Sequence, residues 1–295
     1  MMQFKDITFD DMDIIKKLLK NNTNKACEFS LANVYMWNVD NMCKYGIWND
    51  QLVYRCVSES CVTYTVPNIN QDSKAFIDGL IEDASALGKQ FSIKGLSEDM
   101  TKQLEEFYPG KFEFSFNRDN SDYIYLVSDL AELKGKKFHG KKNHINYFLK
   151  TFQYEYEAIT EDNLEECRVV KSDWSEQKEI ETASMETELN AVDIALDHFK
   201  ELELTGGLIR IDGVVKAFTI GERLTDDTFV THIEKADYEV RGLYPMINQQ
   251  FAIHALKDYT YVNREEDLGV EGLRKAKLSY QPEMIWNKYR AVPRN

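Results

Sequence analysis

The chain has 295 residues, of which 43% are hydrophobic and 29% charged, and its formal net charge is −14. This composition is typical of a soluble globular protein and excludes an intrinsically disordered one. The length predicts two domains rather than one compact core. The acidic balance argues against nucleic-acid binding over the whole surface, but it does not exclude a local basic site.

The N-terminal sequence and the cysteines together predict a cytoplasmic location. Residues 1–17 carry acids early and lack the apolar core of a signal peptide. No apolar run approaches the ~18 residues that a membrane span needs, so we expect no integral membrane association. The histidines are scattered, and we expect no metal site. Five cysteines without a C-x-x-C pair predict free thiols rather than a disulfide framework or a zinc ribbon; they are Cys27, Cys43, Cys56, Cys61 and Cys167.

A faint repeat relates the two halves of the sequence. FKDITFDDMDII at 4–15 matches YEAITEDNLEEC at 156–167, and each is typical of a short strand followed by a capped helix. YGIWNDQLVYRC at 45–56 and GLIRIDGVVKAF at 207–218 both place a turn between apolar runs, which predicts a β-hairpin. Chance similarity between short segments is the alternative, but the matching order of elements favours a duplication.

The C-terminal half gives the clearer series of elements, because Asp-Gly and Thr-Asp-Asp turns separate its apolar runs. Pro245 is typical of a residue near a helix start. The predicted segments, in chain order, are a strand over 152–159, helices over 161–180 and 186–202, strands over 206–213, 214–222 and 227–237, a helix over 243–258 and a strand over 259–265.

A last helix follows these segments. Asp267 is its predicted N-cap, and Glu271 and Lys275 are predicted to pair on its outer face. The residues predicted to face inward are Val270, Leu273 and Ala276.

This order of elements resembles the GNAT acyltransferase fold, and the repeat would make the chain a tandem GNAT protein. The blocks 122–150 and 261–282 resemble the two signature blocks of a bacterial family grouped with the C-terminal domain of phosphatidylglycerol lysyltransferase. The resemblance implies an α+β (α/β) fold of two tandem GNAT-like domains, each a mixed, mostly antiparallel sheet flanked by helices. We expect an N-terminal domain over 1–133, a basic connecting segment over 134–150 and a C-terminal domain over 151–295.

The resemblance implies catalytic groups on the strand that contains 228–235. In GNAT folds the equivalent strand runs past the acyl thioester, where a side chain can take the proton from an attacking amine. Alternation places His232 and Glu234 on one face, and we expect Glu234 to be the general base, with His232 as the second candidate. Tyr280 corresponds to a tyrosine that protonates the leaving thiolate in many GNAT enzymes. The alternative for Glu234 and His232 is that they are polar residues of a half-exposed strand. The alternative for Tyr280 is that it is an aromatic residue that only packs.

Two further segments are expected to bind the donor. VRGLYP at 240–245 stands where the GNAT phosphate loop lies, and a helix N-terminus there offers amides to a pyrophosphate. The segment 133–150 has six lysines and no acid, which predicts a site for CoA phosphates, a tRNA backbone or anionic headgroups. The alternative for 240–245 is a plain loop, and the alternative for 133–150 is a solvated interdomain segment. The expected donor-binding residues are Arg241, Gly242, Leu243, Tyr244, Met246, Lys137, Lys141, Lys142 and His144.

The polar residues that end the strand over 259–265 are expected to bind the substrate. Asn263, Arg264 and Glu265 stand beside the start of a helix, where α/β folds place their ligand clefts. Arg274 on that helix joins them, because a guanidinium group suits carboxylate or phosphate.

These expectations describe a cytoplasmic acyl- or aminoacyl-transferase that modifies a primary amine or hydroxyl and needs no cofactor besides its donor. The donor is acyl-CoA or aminoacyl-tRNA, and in the second case tRNA is a partner. The alternative is a non-catalytic, degenerate GNAT protein that binds a small anionic ligand or a partner. The single glycine in the phosphate loop favours this alternative.

Overall fold

The protein consists of two compact units, each built around its own sheet. The basic segment 134–150, expected to connect two domains, lies within the second unit. None of the helices in the described residues is long and apolar enough to cross a membrane. The first unit comprises Met1–Asp122, Glu266–Gly269 and Ile285–Asn295, and the second comprises Tyr123–Glu265 and Val270–Met284. The computed structural model of the protein describes residues 2–38, 42–176 and 183–294.

The strands and helices follow the predicted order, and residues 177–180 of one predicted helix lie outside the described residues. The strands are β1 (Phe4–Asp6), β2 (Cys43–Trp48), β3 (Gln51–Val57), β4 (Cys61–Thr65), β5 (Gln90–Leu96), β6 (Phe112–Phe116), β7 (Asp122–Leu126), β8 (Tyr154–Ala158), β9 (Thr205–Ile211), β10 (Val214–Arg223), β11 (Thr228–Ala236), β12 (Tyr261–Asn263), β13 (Met284–Trp286) and β14 (Tyr289–Pro293). The α-helices are α1 (Met12–Leu19), α2 (Leu31–Met36), α3 (Lys74–Ala86), α4 (Glu98–Phe107), α5 (Val127–Glu132), α6 (His139–Thr151), α7 (Leu164–Glu176), α8 (Ala183–Asp197), α9 (Leu243–His254) and α10 (Glu271–Leu278).

The two sheets have the same strand order. One sheet runs β1-β2-β3-β4-β5-β14-β6, and the other, read from its opposite edge, runs β8-β9-β10-β11-β12-β7-β13. In each sheet the first four strands form three antiparallel pairs, and a parallel pair follows, β4 with β5 and β11 with β12. The match confirms the predicted repeat and the mixed, mostly antiparallel sheets.

Each sheet also contains one strand from the other half of the repeat. β7 closes the first half of the sequence but pairs with β12, whereas β14 closes the second half and pairs with both β5 and β6. The two units therefore exchange one interior strand each. The residues of β14 belong to the first unit although they lie near residue 290.

Apolar helix faces cover the sheets. In the first unit α3 and α4 bury Phe76, Leu80 and Leu104 in one core cluster with strand residues. In the second unit α6 and α9 bury Phe148, Leu243 and Ile247 in another. α6 and α9 contact each other, and both helices carry residues expected at the donor site.

One disulfide contradicts the prediction of free thiols. Cys43 and Cys56 are bonded, with their Cα atoms 4.3 Å apart. Asn49 and Asp50 have φ values of 46° and 61°, as a tight hairpin turn requires, and this turn aligns the two cysteines opposite each other on β2 and β3. The free cysteines are Cys27, Cys61 and Cys167.

The predicted orientation of α10 is also wrong. The side chains of Val270 and Leu273 are 55% and 38% exposed, and Ala276 is exposed as well. The expected cap, Asp267, is fully buried in the first unit, where its carboxylate accepts the Gly269 amide, and Val270 occupies the N-cap position instead. The predicted Glu271–Lys275 pair is confirmed at 2.6 Å.

Candidate functional site

The second unit brings several of the expected residues together around the carboxylate of Glu234. β11 carries Glu234, and the segment after β12 carries Arg264. α9 contributes Asn248, which the sequence did not single out. Tyr280 follows α10, and Lys141 projects from α6. We call these five residues the Glu234 cluster.

The Glu234 carboxylate is held from two sides. Arg264 Nη2 donates to Oε1 at 2.9 Å, and Asn248 Nδ2 donates to Oε2 at 3.4 Å. The side chains of Glu234 and Arg264 are only 14% and 12% exposed. Arg264 Nη1 and Asn248 Oδ1 are buried without a hydrogen-bond partner. Each residue that holds the carboxylate therefore keeps one unused polar group, a donor on Arg264 and an acceptor on Asn248.

The buried ring of Tyr280 carries two cationic groups. Lys141 Nζ lies 3.8 Å from the ring centroid, and the Arg264 guanidinium carbon lies 4.9 Å from it. Burial raises the pKa of the Tyr280 phenol, so the phenol stays protonated at neutral pH. Burial also lowers the pKa of Lys141 to about 8, and the positive charge of Arg264 adds to this shift against the opposing effect of Glu234. The cluster thus combines a neutral phenol with an amine that titrates near physiological pH.

His232 has a different environment from its neighbour Glu234. Its side chain is fully buried, with Nδ1 2.7 Å from Glu265 Oε1 and Nε2 3.0 Å from Glu222 Oε1. Burial by itself lowers the pKa of the imidazole, but the two carboxylates outweigh it and raise the pKa to about 10. Both ring nitrogens therefore carry protons and donate them. This leaves no lone pair for a general base, which corrects the expected second candidate.

Two of the expected substrate-binding residues shape the turn around Arg264. Asn263 is fully buried, and its Oδ1 accepts the amide of Glu265 at 2.7 Å. Glu265 has φ 56°, a left-handed conformation, and its carboxylate is engaged by His232. Asn263 and Glu265 thereby fix the backbone that presents Arg264. Arg274 lies half-buried on α10.

The start of α9 does not form the expected phosphate loop. The amides of Leu243 and Met246 already donate to the carbonyls of Val240 and Gly242, and Pro245 has no amide proton. The side chains of Leu243 and Met246 belong to the core, and the Tyr244 hydroxyl accepts Trp174 Nε1–H at 3.0 Å. Gly242 has φ 90°, and a Cβ there would lie 2.5 Å from the His144 carbonyl oxygen. Gly242 thus packs against α6, and this helix start offers a pyrophosphate fewer free amides than the expected loop.

The lysines of the basic segment have separate roles. Lys137 pairs with Asp129 at 2.7 Å. On α6, Lys142 is half-buried and His144 is exposed. Lys141 is the lysine that reaches the Glu234 cluster. Arg241 lies against the ring of Tyr147 on α6, 4.5 Å from its centroid.

Asn248 and Glu222 are the polar residues that the sequence predictions missed. Asn248 interrupts the buried stripe of α9 between Ile247 and Phe251, and a buried amide in an apolar stripe was the available signal. Glu222 stands on β10, and its approach to His232 is a cross-strand contact that no local pattern encodes.

A second polar cluster lies in the first unit and has the composition of a metal site. Cys27, Glu28 and Glu266 place ligand atoms within 4.8 Å of one another. Lys288 Nζ lies among them, pairing with Glu28 and Asp122 at 3.0 Å each and with Glu266. Burial lowers the pKa of Lys288, but the surrounding carboxylates raise it well above its usual value. The Lys288 ammonium therefore supplies the positive charge that these carboxylates require.

Known proteins share this fold over the whole chain. The model of the phosphatidylglycerol lysyltransferase C-terminal family matches residues 20–292. A conserved protein of unknown function from Bacteroides thetaiotaomicron is 41% identical, with 100% of both chains covered and a TM-score of 0.91. L-PGS from Bacillus licheniformis is 13% identical, with 99% of this chain and 93% of that chain covered and a TM-score of 0.69. FemX is 10% identical over 98% and 97% of the two chains, with a TM-score of 0.67. The last two similarities are similarities of fold.

Proposed function

The chain belongs to the phosphatidylglycerol lysyltransferase C-terminal family, and from that premise we propose that it is an aminoacyltransferase that uses aminoacyl-tRNA and modifies a primary amine or hydroxyl. The observation that supports this most directly is the Glu234 cluster. It places a carboxylate, a protonated phenol and a guanidinium with an unused donor in one buried site of the second unit.

Glu234 is the proposed general base. Its Oε2 atom is held only by the long contact to Asn248, so it is the oxygen that can accept a proton from the attacking amine or hydroxyl. Arg264 fixes the opposite oxygen and so orients the carboxylate. As the nucleophile attacks, a bond forms to the acyl carbon, and the ester bond to the tRNA ribose breaks.

Tyr280 is the proposed general acid. Its phenol is kept protonated by burial and can donate a proton to the ribose oxygen that leaves. The proton taken up by Glu234 balances the proton given by Tyr280, so the pair returns to its starting state by exchange with solvent.

The start of α9 favours aminoacyl-tRNA over acyl-CoA as the donor. A CoA pyrophosphate in the second unit would need free amides at this helix start, and Leu243, Met246 and Pro245 do not offer them. An aminoacyl ester needs no such loop, because the basic residues of α6 can contact the tRNA backbone instead.

A donor competition tests this proposal. The purified protein is incubated with a mixture of radiolabelled aminoacyl-tRNAs, or with labelled acetyl-CoA, and a panel of amines and hydroxyl compounds. We expect label to move from aminoacyl-tRNA to the acceptor, at a rate that falls steeply between low and moderate salt. Transfer from acetyl-CoA with a shallow salt dependence would contradict the proposed donor.

A binding protein without turnover is the second candidate. The feature that favours it is the occupation of Glu234 by Arg264 and Asn248, since a carboxylate held on both oxygens is also a stable structural element. Absence of transfer from both donors to every acceptor, with retained ligand binding, would favour this candidate.

A further inference from the structure

The Glu234 cluster has an excess of positive charge. Lys141 and Arg264 face the ring of Tyr280, whereas Glu234 is the carboxylate beside them. Three groups face Lys141 from the surrounding elements: Glu234 on β11, Arg264 after β12 and Tyr280 after α10. The phenols of Tyr280 and Tyr125 are neutral, because burial raises the pKa of both. One carboxylate thus compensates two cations, and the site is short of one negative charge.

One unused donor marks where that charge belongs, and one unused acceptor indicates a second polar group of the same ligand. Arg264 Nη1 is a buried donor without a partner, and leaving such a charged donor unsatisfied is costly. Asn248 Oδ1 is a buried acceptor without a partner on the other residue that holds Glu234. Nδ2 of Asn248 faces the carboxylate, which fixes the amide orientation and leaves Oδ1 as the free atom.

We propose that Arg264 and Lys141 bind an oxyanion of the acceptor substrate, a carboxylate or a phosphate, while Asn248 accepts a hydrogen bond from a neighbouring hydroxyl or ammonium of the same molecule. The acceptor is then a small molecule in which an oxyanion stands close to the nucleophile. Binding of the oxyanion by Arg264 and Lys141 would place the nucleophile of this acceptor beside Glu234. Only the identification of the ligand as the acceptor substrate rests on the proposed function. The chemistry of the ligand follows from the unpaired groups themselves.

Lys141 is the movable part of this site. Its side chain is half-buried and lies over Tyr280 through a cation–π contact, so it can swing aside to admit a ligand and then close on the oxyanion. Burial and the charge of Arg264 leave its pKa at about 8 while the site is empty of an anion. An anion beside Lys141 favours its charged form and raises this pKa. Binding near pH 8 must then take up a proton from the buffer.

Isothermal titration calorimetry without any acyl donor tests the inference. The probes are inorganic phosphate, glycerol 3-phosphate and a set of free amino acids, which separate phosphate from carboxylate and show whether the adjacent hydroxyl or ammonium contributes. Titrations in HEPES and in Tris at pH 8 reveal proton uptake through their different ionisation heats. We expect uptake of up to about half a proton at pH 8. With the amino acid probes, whose carboxylates do not titrate near neutral pH, we expect none at pH 6.5, where Lys141 is already charged.

Variants identify the groups. Arg264→Lys replaces the forked guanidinium group with a single ammonium group and so removes the donor that would bind the oxyanion. We expect the affinity for the probes to fall about tenfold to a hundredfold. Lys141→Arg should bind without proton uptake, because arginine does not titrate in this range. Lys257→Met, a change at an exposed lysine after α9, is the control and should behave as the parent protein.

The outcomes separate this inference from the proposed function. Binding with proton uptake but no transfer supports the anion site and contradicts the transferase. Transfer without binding of any probe at millimolar concentration overturns the anion site. Equal affinity in the parent protein, Arg264→Lys and Lys141→Arg, with the same proton uptake in all three, overturns it as well.

Discussion

The α-carbon of Gly242 and the carbonyl oxygen of His144 lie so close that a Cβ on residue 242 would stand 2.5 Å from that oxygen. Gly242 also has φ 90°, a conformation that side chains rarely adopt. The contact joins α9 to α6 and so sets the position of Asn248 on one helix and of Lys141 on the other. A glycine that resembles a phosphate-loop residue in sequence is therefore a packing residue of the candidate site.

Gly242→Ala should destabilise the protein by about 2 kcal/mol or more, because the new methyl group meets a backbone carbonyl and the left-handed φ is strained. Urea unfolding measures the change. Gly140→Ala is the matched control on α6, where nothing lies within 4 Å of the added Cβ, and it should stabilise the helix by about 0.5–1 kcal/mol. Equal effects of the two substitutions would contradict the assigned contact.

Glu234→Gln and Tyr280→Phe should each lower the rate of transfer by about 10²–10⁴, since each removes one proton-transfer group. The test is the initial rate at saturating donor and acceptor. Glu239→Gln and Tyr147→Phe are controls, because both residues are exposed and lie outside the Glu234 cluster. Unchanged transfer in either cluster variant would remove that residue from the mechanism.

His232 should make the stability of the protein pH-dependent on the alkaline side. Its pKa rises from 6.5 to about 10 on folding, so its stabilising contribution is fully present below about pH 6.5 and is lost as the pH rises through 10. We expect His232→Gln to reduce the free energy of unfolding more at pH 6 than at pH 10. His139→Gln, at an exposed histidine of α6, should show no such difference. A pH-independent effect of His232→Gln would show that the imidazolium charge is not what stabilises the site.

The Cys43–Cys56 disulfide closes a loop with a sequence separation of 13 residues. Loop-closure entropy predicts a loss of about 3 kcal/mol when both cysteines become serine. Thermal unfolding with and without reductant measures it, and reductant should lower the melting temperature of the parent protein but not that of the double variant. Cys61→Ser controls for loss of a free thiol. A melting temperature insensitive to reductant would contradict a stabilising role.

The predictions from sequence succeeded where local patterns decide the structure. The Asn49–Asp50 turn predicted the β2–β3 hairpin, and the register of that hairpin already places Cys43 opposite Cys56. The predicted hairpin therefore already implies the disulfide, although the separation of 13 residues matches no short cysteine motif. The predicted orientation of α10 was wrong, because Val270, Leu273 and Ala276 are exposed and an exposed apolar residue looks the same in sequence as a buried one.

The candidate site shows the same division. Glu234 stood out because the GNAT resemblance points to its strand and strand alternation gives its face. Arg264 stood out because it follows the end of a predicted strand. Asn248 and Glu222 did not, because their roles arise from partners on other elements. The expected phosphate loop came from the GNAT resemblance together with one glycine, and no local sequence pattern encodes the position of α6 against that glycine.

The strand exchange between the halves of the repeat bears on how the protein is made. Synthesis is vectorial, and domains usually fold as they leave the ribosome. The first unit cannot complete its sheet in this way, because β14 pairs with both β5 and β6 and is translated after every strand of the second unit. Until Pro293 has emerged, β5 and β6 lack the strand that separates them, and two unpaired edges invite wrong partners. Commitment of the N-terminal unit to its native state is thus postponed until after translation of the C-terminal unit.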